Sequence, residues 1–122
     1  MKINELCKQA FEDATAKGWH DPGKSPVEAH ALVITEVCEA IEEVRSGTPP
    51  SYYFIDKAPT ACDVHEWPPE NPKPEGELIE VADAVIRLAD YCGKMGWDLE
   101  QAIKVKMAYN KTRKHRHGGK LL

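Results

Sequence analysis

Long hydrophobic runs are missing from this chain of 122 residues. No apolar stretch approaches the roughly 20 residues that a helix needs to cross a bilayer, so a membrane-spanning role is not expected. Cysteine pairs of the CxxC type are missing too: Cys7, Cys38, Cys62 and Cys92 stand far apart, and no secretory signal precedes them. That argues against a disulfide framework and predicts a reduced, cytoplasmic protein, with Cys38 and Cys92 as buried thiols on helical apolar patterns. Cys62 and His65 have ligand-like spacing, but two candidates are too few to specify zinc. Large apolar side chains are also scarce. With only two Phe and a negative mean hydropathy, one chain can build only a thin core, and association would supply the missing burial. A single domain over residues 1–122 is the expectation, since this length does not support two cores.

The formal net charge of −4 is unevenly spread, because Lys111, Arg113, Lys114, Arg116 and Lys120 crowd the last dozen residues. The remaining body is strongly acidic. Such a body disfavours nucleic acid and suits a protein that holds divalent cations.

Four helices are predicted, at about Ile3–Lys17, Val27–Ser46, Glu77–Met95 and from Asp98 to about Lys114. Leu6, Ala10, Phe11 and Ala14 give the first an apolar stripe, and Gly18 stops it. Ser25, Pro26 and Glu28 mark the start of the second with a cap, a first-turn proline and a capping-box acid. Gly93 and Gly96 are expected to break the third, and Asp98 with Gln101 opens the fourth. Between the second and third helices, about residues 47–76, seven prolines and four aromatics (Tyr52, Tyr53, Phe54, Trp67) show no sustained period. This reads as a long proline-rich loop, a flap with at most one helical turn, packed over the acidic residues or against a neighbouring subunit. A basic tail covers about residues 115–122.

The chemistry sits on the two middle helices. Glu36, Glu39 and Glu43 fall at i, i+3 and i+7, which puts three carboxylates on one strip of the second helix. Ile34, Val37, Ile41 and Val44 form an apolar face beside them. On the third helix Glu80, Asp83 and Arg87 occupy a narrow polar face, opposite a wide apolar arc that includes Leu78, Val81, Val85 and Leu88. Two antiparallel helices, each with an i, i+3 acidic pair, can place Glu36, Glu39, Glu80 and Asp83 around one or two ions. Oxygen ligands of this kind suit Mg2+, with Mn2+ as a substitute, and a bound Mg2+ neutralises polyphosphate and activates water. Glu36 or Glu39 would take the proton from that water. On the fourth helix Lys106, Asn110 and Arg113 fall at i, i+4 and i+7, a face suited to phosphate oxygens. In the turn after the first helix, Trp19 offers a stacking surface or a plug for the core edge, with His20 beside it.

The chain resembles the MazG-like all-α nucleoside triphosphate pyrophosphohydrolases. The resemblance rests on Gly18-Trp19, on Leu32-Val33-Ile34-Thr35-Glu36-Val37-Cys38-Glu39-Ala40, and on Lys73-Pro74-Glu75-Gly76 with Glu80-Val81-Ala82-Asp83. It continues through Tyr109-Asn110-Lys111-Thr112-Arg113 and His117-Gly118-Gly119-Lys120. It implies an all-α, four-helix bundle-like fold in a homodimer or dimer of dimers, with a site built by two subunits. It implies Mg2+ on Glu36, Glu39, Glu80 and Asp83, and phosphate or sugar contacts from Lys106, Asn110 and Arg113, with Trp19 and His20 meeting the base. The implied reaction cleaves a nucleoside triphosphate to the monophosphate and pyrophosphate, as in nucleotide-pool sanitation. The segment Thr48–Asn71 departs from the family in being longer and richer in proline. Two other readings are phosphoribosyl-ATP pyrophosphohydrolase, which shares the fold and acidic pairs, and a non-catalytic helical protein whose tail binds nucleic acid or a partner.

Overall fold

The computed structural model describes residues 2–113, so the tail expected at 115–122 and the helix end expected at Lys114 lie outside the described residues. Four helices carry the fold: α1 (Ile3–Ala16), α2 (Pro26–Arg45), α3 (Glu77–Met95) and α4 (Leu99–Thr112). None is long and apolar enough to cross a membrane. The boundaries follow from local chemistry. Ser25 Oγ accepts from the Glu28 N–H while the Glu28 carboxylate accepts from the Ser25 N–H, which satisfies two orphan donors at the start of α2. Asp98 accepts from the Gln101 N–H to open α4, and Gly96, at φ +68°, closes α3 in the left-handed conformation.

Gly93 does not break α3, contrary to the sequence expectation; it lies inside the helix. Its role is packing. A Cβ there would fall 2.3 Å from the Cys7 carbonyl oxygen and 2.7 Å from Phe11 Cβ, so only glycine lets α1 and α3 approach this closely. Around that crossing Cys7, Ala10, Ala89 and Cys92 form the core, with Ile3, Leu6 and Leu99 at its edge. Burial pushes both thiols up, and Cys7 raises Cys92 further. Cys38 is exposed rather than buried, because the interior face of α2 is the one carrying Glu36 and Ala40.

That choice of face inverts the expected arrangement. The apolar strip of α2 is open to solvent, with Ile34 63% and Ile41 51% exposed, and so are Leu78, Val81, Val85 and Leu88 of α3. Glu36 points into the chain, and the apolar faces point out. No large side chain among the described residues is fully buried.

The segment between α2 and α3 is not a featureless loop, so the fold is mainly helical rather than all-α. Strands β1 (Tyr52–Ile55) and β2 (Ala58–Ala61) form an antiparallel hairpin, followed by one 3-10 turn at Val64–Glu66. Asp56 and Lys57 both have positive φ, as a two-residue hairpin turn demands. Tyr52 anchors the hairpin on both sides. Its backbone exchanges two hydrogen bonds of 2.9 Å with Glu75, and its hydroxyl donates to both Glu43 carboxylate oxygens at 2.9 and 3.1 Å. Burial, and then the Glu43 carboxylate, push the Tyr52 phenol up to about 12. Glu43 therefore serves the hairpin, with Thr48 as a second donor. Gly76, at φ +118°, starts α3 where a Cβ would meet the Pro50 oxygen at 2.3 Å.

Candidate metal centre

Both neighbours of α3 run antiparallel to it. The α1 and α3 numbers run in opposite senses along their shared contacts, and on the other side His30 stacks obliquely on Tyr91 while Glu36 meets Arg87 one step along. This alignment brings Glu36 of α2 against Glu80 and Asp83 of α3. One carboxylate oxygen from each lies within 4.8 Å of the others.

The three acids sit in different electrostatic surroundings. Burial would raise the Glu36 carboxyl, but the Arg87 guanidinium, with Nε donating to Oε1 at 2.6 Å, more than offsets it, and the group is held below its ordinary value. Glu80 is pushed up to about 7, first by burial, then by hydrogen bonding with and the charge of Glu39, with the Asp83 charge and a hydrogen bond with Glu36 adding to it. Its Oε2 is buried and has no hydrogen-bond partner. Asp83 is also raised, by burial and by Glu36, while Arg87 and Lys73 pull it back. Carboxylates held this close repel one another, and a buried oxygen without a donor costs free energy. A divalent cation answers both problems. The donor set of hard carboxylate oxygens fits Mg2+ or Mn2+ and not a soft metal.

Beside the cluster opens a cavity of about 420 Å³, walled by Ala10, Asp13 and Ala14 of α1, Trp19 after it, Glu36, and Asp83, Ile86, Arg87 and Asp90 of α3. The alanines on α1 make room where larger side chains would fill it. Gln9 donates to Asp13 at 2.8 Å. His20 does not line this cavity, but its Nε2 lies 2.7 Å from Asp90 Oδ1 and its ring tilts on Phe11. It lines a second, smaller cavity of about 40 Å³ with Lys24, Arg87 and Lys94.

No family model, curated protein or solved structure matches the chain. The chain is a small, mainly helical domain with an acidic cluster able to hold a divalent cation, consistent with a MazG-like fold in general and with a metal-dependent hydrolase in general.

Of the residues singled out in the sequence, Glu36, Glu80 and Asp83 converge. Glu39 is exposed at the rim, close enough to act on the carboxyls of Glu36 and Glu80. Trp19 lines the cavity although 59% exposed. Lys106, Asn110 and Arg113 are not among the residues lining the cavity or the cluster. Helix α4 is tied down near its start, where Asn4 donates to Asp98 and accepts from the Glu100 N–H. Farther along, Lys106 and Arg113 lie over the Tyr109 ring. The segment 47–76 contributes nothing to the cavity lining; it forms a hairpin fixed to the ends of α2 and α3, and its Lys73 acts on Asp83. Cys62 and His65 join no group of three possible ligands among the described residues.

Sequence reasoning missed the wall residues Asp13 and Asp90 and underrated Arg87. Arg87 carried a signal, since a lone cation on the acidic strip of α3 is aimed where the acids are aimed. Asp90 carried the same signal, three residues after Arg87 and seven after Asp83 on one strip; Asp13 carried none, because its meeting with that strip depends on how α1 crosses α3.

Proposed function

We propose that the chain is a Mg2+-dependent nucleoside triphosphate pyrophosphohydrolase, with Mn2+ able to substitute. The observation that supports it most is the buried Glu80 oxygen, without a hydrogen-bond partner, inside a cluster of three carboxylates. Glu36, Glu80 and Asp83 would hold the ion, with Glu39 at its open side. When bound, the ion supplies charge neutralisation for a phosphate chain and lowers the pKa of a coordinated water. Glu39 would act as the base; its exposure at the rim supports this over Glu36, which is buried and engaged by Arg87. Trp19 forms the wall against which a base would stack, and the cavity has room for a nucleoside.

The chain alone offers few phosphate contacts. Lys106, Asn110 and Arg113 fit that task if the active form is a homodimer or dimer of dimers. The exposed apolar faces of α2 and α3 would then close against a second copy as a four-helix arrangement, and α4 of one subunit would serve the other's centre.

The test is pyrophosphate release from a panel of standard and modified nucleoside triphosphates with Mg2+, alongside phosphoribosyl-ATP and a Glu39→Gln variant. The expected result is monophosphate and pyrophosphate from at least one triphosphate, with a rate lower by about 100-fold or more in the variant. A folded, Mg2+-loaded parent that turns over only phosphoribosyl-ATP would move the reading to histidine synthesis. Silence on every substrate would overturn an enzymatic role.

A further inference from the structure

Arg87 belongs to the centre and to the cavity at once. Its Nε donates to Glu36 Oε1 at 2.6 Å, yet the two ends of this ion pair differ in exposure, 39% for the arginine side chain against 9% for the glutamate. The acid is fixed and the cation has a way out. That way leads into open space on two sides, because Arg87 lines both the large cavity under Trp19 and the small one beside His20.

A divalent cation entering the cluster changes the balance. It places two positive charges among Glu36, Glu80 and Asp83, a few ångströms from the guanidinium and partly out of water, where like charges repel strongly. It also competes for the carboxylate to which Arg87 is bound. The walls the guanidinium would then face in the large cavity are acidic: Asp13, and Asp90, already bonded to His20. Two carboxylates make this cavity a poor place for a phosphate. They make it a good place for a neutral ring edge that carries both hydrogen-bond donors and an acceptor, the donors meeting the aspartates and the acceptor meeting an arginine.

We propose that Arg87 is a placeholder cation that becomes a substrate-binding residue: it neutralises Glu36 while the cluster is empty, yields when a divalent cation enters, and then holds a carbonyl oxygen of the base in the Trp19 cavity. The second half rests on the nucleotide reading. The first half does not, and it is tested with the metal alone.

Mn2+ binding is measured calorimetrically on the full chain for the parent, Arg87→Gln and Arg87→Lys, with circular dichroism confirming that each is folded. Removal of a competing positive charge tightens Mn2+ binding by about tenfold in Arg87→Gln, while Arg87→Lys, which keeps the charge, stays near the parent. Weaker Mn2+ binding in Arg87→Gln would show that the arginine merely orients Glu36, and would overturn the placeholder role. The second measurement is the affinity of non-hydrolysable triphosphate analogues at saturating Mg2+. Loss of the planar fork in both variants weakens a carbonyl-bearing base by about tenfold, leaves the adenine analogue within twofold, and leaves inorganic tripolyphosphate unchanged. Equal loss for all three ligands, or no loss, would overturn the base contact. A parent that binds no nucleotide at all overturns the nucleotide reading and the base contact together, and the Mn2+ series still decides the placeholder.

Discussion

At the scale of single residues, the feature that governs behaviour is the mismatch between Glu80 and its surroundings. Its carboxyl, raised to about 7 against an ordinary 4.5, is at ease protonated and ill at ease charged. For such a group, the stability present below pH 4.5 is lost as pH rises through 7. Asp83, also raised, adds to the same trend, while the depressed Glu36 acts in the opposite sense and only in acid. The melting temperature of metal-free protein is therefore expected to fall between pH 5 and 7.5, and excess Mg2+ to restore it most at the alkaline end. Glu80→Gln should flatten that profile, be more stable than the parent at pH 8 in chelator, and gain nothing from Mg2+. Differential scanning calorimetry of both proteins across that range checks the expectation; a parent whose melting point rises with pH in chelator would refute it. The acids at i, i+3 were legible in the sequence because a helix converts spacing into direction. The Arg87–Glu36 pair and the aspartate walls were not, because they exist only where two helices cross.

At the scale of elements, the helices were legible from their ends. The box at Ser25 and Glu28, the cap at Asp98 and the left-handed Gly96 are local devices, and local devices survive in sequence. The hairpin was hidden for the opposite reason. Its turn follows Asp56, a usual first residue, with Lys57 in a conformation usually left to Gly, and Pro59, a residue type that normally argues against a strand, sits in β2 opposite Phe54. The ribbon tolerates Pro59 because the outer side of β2 has no partner strand. What keeps so small a ribbon folded is Tyr52, bonded through its backbone to Glu75 and through its hydroxyl to Glu43. Tyr52→Phe removes the hydroxyl and leaves the Glu43 carboxylate without it, an expected cost of about 1–3 kcal/mol. Denaturant unfolding with an unchanged slope would report that loss. Because the hairpin is remote from the cavity lining, Mg2+ affinity should stay within about twofold; a large loss of Mg2+ binding would mean that the hairpin holds the centre as well.

At the scale of the whole molecule, the thin core foreseen from composition is observed, and it is thin because alanine, cysteine and glycine line the α1–α3 seam while larger aliphatic residues face outward. Side chains such as Ile34, Ile41 and Val85, each about half exposed or more, leave an apolar surface wider than a stable monomer usually presents. Sedimentation velocity is expected to show a dimer or tetramer at micromolar concentration. The double variant Ile41→Glu, Val85→Glu should shift it toward monomer with loss of thermal stability, and a parent that sediments as a monomer would remove the two-subunit arrangement.

The contact at Gly93 also bears on the shape of the cavity. With the Cys7 carbonyl resting where a side chain would otherwise stand, the backbones of α1 and α3 meet there with no side chain between them. The seam continues through the buried Ala10 and Ala14, and His20 ties the turn after α1 to Asp90 of α3. The walls Asp13, Ala14 and Trp19 are therefore held against α3 from both sides, while the candidate ligands Glu36, Glu80 and Asp83 all lie on α2 and α3. A larger residue at position 93 would push α1 off α3 and displace one wall of the cavity while leaving the carboxylates of the cluster on their own helices.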